Sequence, residues 1–149
     1  MTTALRVEPV NSQQIEVGRK LGLDLKGKTV RVASAMIGEY LMANFWGAPE
    51  RALPSPRQCD LAEEFGYDIR TMSRGVGSAV IDDIMDHLNK ESIDNEKLEP
   101  GVEVRFRNRD DSRVRVVSSV AADGTVFFKG GNGQKAWARS LERANKGEA

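Results

Sequence analysis

Leu21-Gly-Leu-Asp-Leu-Lys-Gly-Lys-Thr-Val-Arg-Val-Ala-Ser-Ala-Met-Ile37 is followed 44 residues later by Phe65-Gly-Tyr-Asp-Ile-Arg-Thr-Met-Ser-Arg-Gly-Val-Gly-Ser-Ala-Val-Ile81. Gly22, Asp24, Val32, Ser34, Ala35 and Ile37 recur unchanged at that spacing, as Gly66, Asp68, Val76, Ser78, Ala79 and Ile81. Conservative pairs fill the intervals, among them Leu25/Ile69, Lys26/Arg70, Thr29/Ser73 and Glu39/Asp83. The register needs no gap from Val10 to Phe45 and keeps the apolar positions, which marks an internal repeat.

Each copy reads as helix, extended loop, helix. Ser12 and Ser55 are the expected N-caps, with Pro56 at the first helical position of the second copy. Ile15, Val17 and Leu21 form the apolar side of the first short helix, and Cys59, Leu61 and Phe65 that of its counterpart. Gly22 and Gly66 stand where a left-handed residue ends a helix. Leu23, Leu25, Tyr67 and Ile69 are expected in the core, and Thr29 and Ser73 as caps of longer second helices. Val32, Met36, Ile37, Tyr40 and Leu41, and then Val76, Val80, Ile81, Ile84 and Met85, repeat with helical spacing. One copy of about 35 residues is too small to be stable alone, so two should share one four-helix core.

After Lys90 the character changes. Residues 91–100 are polar and end in Pro100, a linker composition. In Val102-Glu-Val-Arg-Phe-Arg107 and Arg113-Val-Arg-Val-Val117 the period becomes two. Asp123-Gly124 and Asn132-Gly133 are hairpin-turn dipeptides, Thr125–Phe128 is a strand, and Ala136–Leu141 is the expected last one. Four or five short strands in so short a segment predict a strongly bent antiparallel barrel. The fold class is thus α+β: repeat 1 over residues 1–53, repeat 2 over 54–90, the linker, and a small β-barrel over 101–149.

The two copies resemble the helix–extended-loop–helix units of the SAP and SAP-like families. The resemblance rests on Leu21-Gly-Leu-Asp-Leu25 with Lys28–Ile37, and on Phe65-Gly-Tyr-Asp-Ile69 with Ser73–Ile81. It implies DNA binding, which the cations of the first copy (Arg19, Lys20, Lys26, Lys28 and Arg31) suit. The second copy departs from it, with Asp82, Asp83 and Asp86 on its long helix. The C-terminal segment resembles the KOW/Tudor-type small barrels through Pro100-Gly-Val-Glu-Val104, Val116–Val120, Asp123–Phe128 and Ala138–Glu142. That resemblance implies binding of RNA, DNA, a protein surface or a peptide.

Charge is divided along a chain whose formal net charge is zero: 22 Lys and Arg balance 22 Asp and Glu. Residues 1–53 carry +2, 54–99 carry −6 and 100–149 carry +4. Arg105 and Arg107 share one face of a strand, and Arg113 and Arg115 one face of the next. A hairpin through Asn108–Ser112 would set the pairs side by side, where like charges repel unless acids or an anion relieve them. Two readings follow: a solvated face with local ion pairs, or a face for phosphates or acidic protein. Lys129, Lys135, Arg139 and Trp137 extend it, Trp137 either as core or by stacking on a base. Lys129-Gly-Gly-Asn-Gly-Gln-Lys135 is a hairpin loop or a backbone cradle for phosphate.

Other chemistries find little support. Gly22-Leu-Asp-Leu-Lys-Gly-Lys28-Thr29 matches the P-loop pattern, but a helix and not a buried strand precedes it. Cys59 and His87 are the sole cysteine and histidine, so neither a disulfide nor a zinc cluster is expected. Asp83 and His87, four apart on one helix, read as an exposed, intrahelically paired face. No cofactor and no enzymatic activity are expected. The N-terminus lacks the apolar segment of a signal peptide, and no run is long enough to span a bilayer, so a cytoplasmic protein with no membrane partner is expected. The residues suit a non-enzymatic nucleic-acid-binding adaptor, for DNA or RNA. The alternative is a small phage or mobile-element protein that docks on a host protein complex and regulates or inhibits it.

Overall fold

Asn11 and Ser55 each accept a hydrogen bond from the backbone of the glutamine three residues on. Gln14 and Gln58 bond back to the cap N–H groups at 3.1 and 2.9 Å, closing two capping boxes. The first cap is Asn11 and not Ser12, because an Asn side chain reaches the N3 amide from the extended cap position. These boxes open α1 (Ser12–Leu21) and α3 (Pro56–Glu64). The computed structural model describes residues 4–45, 52–107, 113–130 and 133–144. The connector around Trp46, the loop at 108–112 and Asn132 lie outside the described residues, as does the Phe45 side chain.

The architecture is α+β. Four helices, completed by α2 (Val30–Phe45) and α4 (Arg74–Asn95), precede a five-stranded antiparallel sheet. The strands are β1 (Glu103–Phe106), β2 (Arg115–Val120), β3 (Thr125–Phe128), β4 (Lys135–Trp137) and β5 (Leu141–Arg143). The chain divides into two compact units at Ile84/Met85, inside α4. No helix among the described residues is long and apolar enough to cross a membrane.

In the first unit, left-handed glycines turn the chain after each short helix: Gly22 at φ 79° and Gly66 at φ 85°. The loops drop Leu25 and Ile69 into the core with Val32, Ala33, Ala62, Val76 and Ile84. Thr29 and Ser73 then cap α2 and α4 through the amides of Val32 and Val76. The Thr29 hydroxyl donates to Asp83 at 2.5 Å, and the Ser73 hydroxyl donates to Glu39. Both pairs join positions related by the 44-residue spacing, in reciprocal order. Ile15 and Val17 are exposed, contrary to the periodicity. The first helix is too short to bury a full stripe and instead packs through Gly18, where an added Cβ would lie 2.6 Å from Leu25 Cδ1. Cys59 is half-buried.

In the second unit Val102, Val104, Val117, Val126, Phe128, Ala138 and Leu141 build one core. Leu98 completes it and Ile93 packs against it. The segment read as a linker is therefore built in. Helix α4 runs to Asn95, Glu96 is buried, and left-handed Lys97 (φ 50°) turns the chain so that Leu98 enters the core. The sheet order is β4-β3-β2-β1-β5. The described residues hold no pairing between the edge strands β4 and β5, so the sheet is open where a closed barrel was expected. The expected last strand is split into β4, a 3-10 turn (Ala138–Ser140) and β5. Asp123-Gly124 makes the β2–β3 turn: Gly124 sits at φ 91° and Asp123 accepts the Thr125 amide at 2.9 Å.

Candidate functional site

The register of the first hairpin decides what the arginines do. Glu103 lies opposite Val116, and Val104 opposite Arg115. Directly opposed residues share a face, so Arg115 stands on the side of Val104 and Val117. Arg105 alternates with Val104 and belongs to the other side, opposite Glu142, while Arg107 follows the end of the strand. Arg105 and Arg115 therefore lie on opposite faces, and the expected four-arginine face does not form. The valines of 113–117 do not share one face: Val114 is exposed and Val117 is fully buried.

Each arginine has local company. Arg115 lays its guanidinium 4.9 Å from the Phe106 ring centroid and 5.9 Å from that of Phe128, closing the edge of the core. Arg105 faces Glu142 across the β1–β5 pair, with Nε 3.3 Å from the carboxylate. Arg113 is exposed. Arg107 Nη2 is 3.9 Å from the buried Glu96, beyond hydrogen-bond distance.

A different surface collects the aromatic and cationic side chains. On β3, Val126 and Phe128 are buried, so Thr125 and Phe127 take the outward face. The register sets Thr125 opposite Trp137 and Phe127 opposite Lys135, on that same face. Ser119 of β2 continues the row beside Phe127. Trp137 is 44 % exposed and is not a core residue. The Arg139 guanidinium lies 5.0 Å from the Trp137 ring centroid. Asn89 holds it there: its Oδ1 accepts the Arg139 backbone N–H at 3.0 Å and Nη1 at 3.4 Å. Burial alone lowers the Arg139 pKa, and no carboxylate among the described residues forms an ion pair with it. Lys129 and Lys135 are exposed, and Lys135 helps to lower the Asp123 pKa, whose main cause is hydrogen bonding from Thr125.

Phe127 and Asn89 are the site residues that sequence reasoning missed. The signal for Phe127 was present: in the adjacent Phe127-Phe128 of one strand, one ring must face outward. Asn89 gave none, since only tertiary contact brings it to Arg139, 50 residues away.

In the first unit the expected cations are partly committed. Arg31 donates to Asp83 at 2.8 Å, and Arg19 to Glu16 at 2.6 Å. Lys26 is exposed, while half-buried Lys28 lines a cavity of about 370 Å³ with Leu23, Met36 and Tyr40. Asp83 is 2 % exposed and so is not part of a solvated acidic stripe; Asp82 is exposed, and Asp86 pairs with Lys90 at 3.3 Å. His87 is buried. The P-loop letters fold as a helix end and a cap, with Thr29 already bonded to Asp83 and to the α2 amide. The described residues contain no group of three or more potential metal-ligating side chains.

No protein-family model matches the chain, and no curated protein or solved structure matches it significantly.

Proposed function

We propose that the protein is a non-enzymatic nucleic-acid-binding adaptor whose contact face is the β3–β4 side of its C-terminal sheet. The observation that carries this reading is the exposed Trp137 with Arg139 stacked on it, beside Phe127 and Lys135. Aromatic faces and guanidinium planes stack on unpaired bases, and neighbouring cations neutralise phosphates. Nothing in that set of side chains breaks a bond. Binding of this kind favours single strands, tolerates sequence and fades with salt.

Within this proposal the second unit is a small barrel of the KOW/Tudor type, opened between β4 and β5. The meander order and the 3-10 turn before β5 support it. The first unit is a pair of SAP-like copies facing each other, supported by the reciprocal Thr29–Asp83 and Ser73–Glu39 bonds. Lys20 and Lys26 are exposed cations of the first copy on offer to a phosphate. The exposed acids Asp60, Glu63, Glu64 and Asp82 favour a second reading, docking on a basic surface of a host protein complex.

Fluorescence anisotropy with labelled single-stranded DNA and RNA tests the proposal. Trp137→Ala should weaken binding by about 1–3 kcal/mol, roughly five- to 150-fold. Arg105→Ala, whose side chain faces Glu142, should change it less than twofold. Equal loss in both variants, or no binding at low salt, would transfer the case to protein docking.

A further inference from the structure

We propose that the cavity beside Arg107 and Arg139 is a pocket for one nucleotide of the bound strand, with its phosphate between the two guanidinium groups. This rests on the nucleic-acid reading and adds a specific subsite to it. The cavity has a volume of about 690 Å³ and lies wholly within the second unit. That size is in the range of small-ligand sites, about 300–1,000 Å³.

Both arginines are held in place, and neither has a hydrogen-bonded carboxylate among the described residues. The Arg107 N–H bonds the Ser140 carbonyl at 2.9 Å, which ties the end of β1 to the 3-10 turn that carries Arg139. Arg107 stands 3.9 Å from Glu96, whose carboxylate instead accepts the Arg143 amide at 3.2 Å. Arg139 is partly desolvated, and its partners are Asn89 and the Trp137 ring. Glu96 meets Arg107 at ion-pair distance but not at hydrogen-bond distance, so a phosphate between the two guanidinium groups can accept hydrogen bonds from both.

The remaining wall suits the rest of a nucleotide. Leu88 and Phe106 offer apolar surface for a base, and Ser92 and Ser140 offer hydroxyls for its edge or for the sugar. Glu91 also lines the cavity, and its negative charge confines a phosphate to the arginine side. Arg139 belongs to both this cavity and the stacking face, so a strand crossing Trp137 has a phosphate within reach of the pocket.

Calorimetric titration of the full chain with 5′-adenosine monophosphate, adenosine and inorganic phosphate tests this. The monophosphate should bind at least tenfold more tightly than either fragment, and Arg107→Ala should weaken it tenfold or more. Lys135→Ala should weaken an oligonucleotide and leave the monophosphate within twofold. In the unsubstituted protein, adding the monophosphate should shift the amide resonances of Leu88, Ser92 and Ser140, a readout independent of any variant's folding. If the strand binds while the monophosphate moves none of these resonances, the pocket is overturned and the stacking face stands. If the monophosphate binds through Arg107 but no strand binds, the pocket stands and the strand-binding reading falls. An acidic peptide that displaces the monophosphate with higher affinity would overturn the nucleotide assignment.

Discussion

Asp83 shows how one buried carboxylate organises the first unit. It accepts from the Thr29 hydroxyl at 2.5 Å and from Arg31 at 2.8 Å, and these two groups sit at the start of a different helix. Hydrogen bonds to charged groups contribute about 1.5–3 kcal/mol, and a lost partner leaves the other polar group unsatisfied. Asp83→Ala should therefore destabilise the protein by about 2–4 kcal/mol in chemical denaturation, and Asp82→Ala by under about 0.5 kcal/mol. Asp68 offers a measurable pH effect. The Arg70 side chain, hydrogen-bonded to it at 2.9 Å, holds its pKa down to about 2. A depressed carboxylate stabilises the fold above its ordinary pKa, and that contribution is lost as pH falls toward the folded value. A carboxyl resonance titration should give a midpoint near 2 for Asp68, and Arg70→Ala should raise it part of the way to the ordinary carboxylate range, the residue-70 backbone N–H still bonding the carboxylate.

At the scale of elements, the close approach of α4 to the β2–β3 turn sets the site. Gly124 has φ 91°, and a Cβ added there would meet Asn89 at 2.7 Å. Asn89 in turn holds Arg139, so the turn, the helix and the site are one assembly. Gly124→Ala should cost about 1–3 kcal/mol by denaturation and weaken oligonucleotide binding as Arg139 shifts. Gly75→Ala, where nothing crowds an added Cβ, should not destabilise, since Ala favours a helix interior. Much at this scale was legible. Pro56, Ser55, Gly22 and Asp123-Gly124 marked helix starts, a helix end and a hairpin, because each acts through bonds within a few residues. The faces of β2 were not legible. Arg113-Val-Arg-Val-Val117 supports two phases, and only the pairing of Val104 with Arg115 chooses between them. The 91–100 segment misled for a related reason: its polar composition hides Glu96 and Leu98, both buried by tertiary contacts.

For the whole molecule, neutral total charge conceals an uneven distribution along the chain: −6 over residues 54–99 and +4 over 100–149. The described acids Asp60, Glu63, Glu64 and Asp82 are exposed on the first unit, while Lys129, Lys135 and Trp137 are exposed on the second. The sequence indicated that the C-terminal segment carries the cations. It placed the centre of the site on the four β1–β2 arginines, whereas the structure gathers aromatic and cationic groups on β3 and β4. Binding centred there should weaken with salt, with a modest slope set by the few phosphates that Lys135, Arg139 and their neighbours contact. The most direct measurement is a map of backbone amide shifts during titration with a single-stranded oligonucleotide. The largest shifts are expected at Thr125–Phe128 and Lys135–Arg139, with those at Asp60–Glu64 unmoved. Shifts confined to the first unit, or none at low salt, would contradict this site.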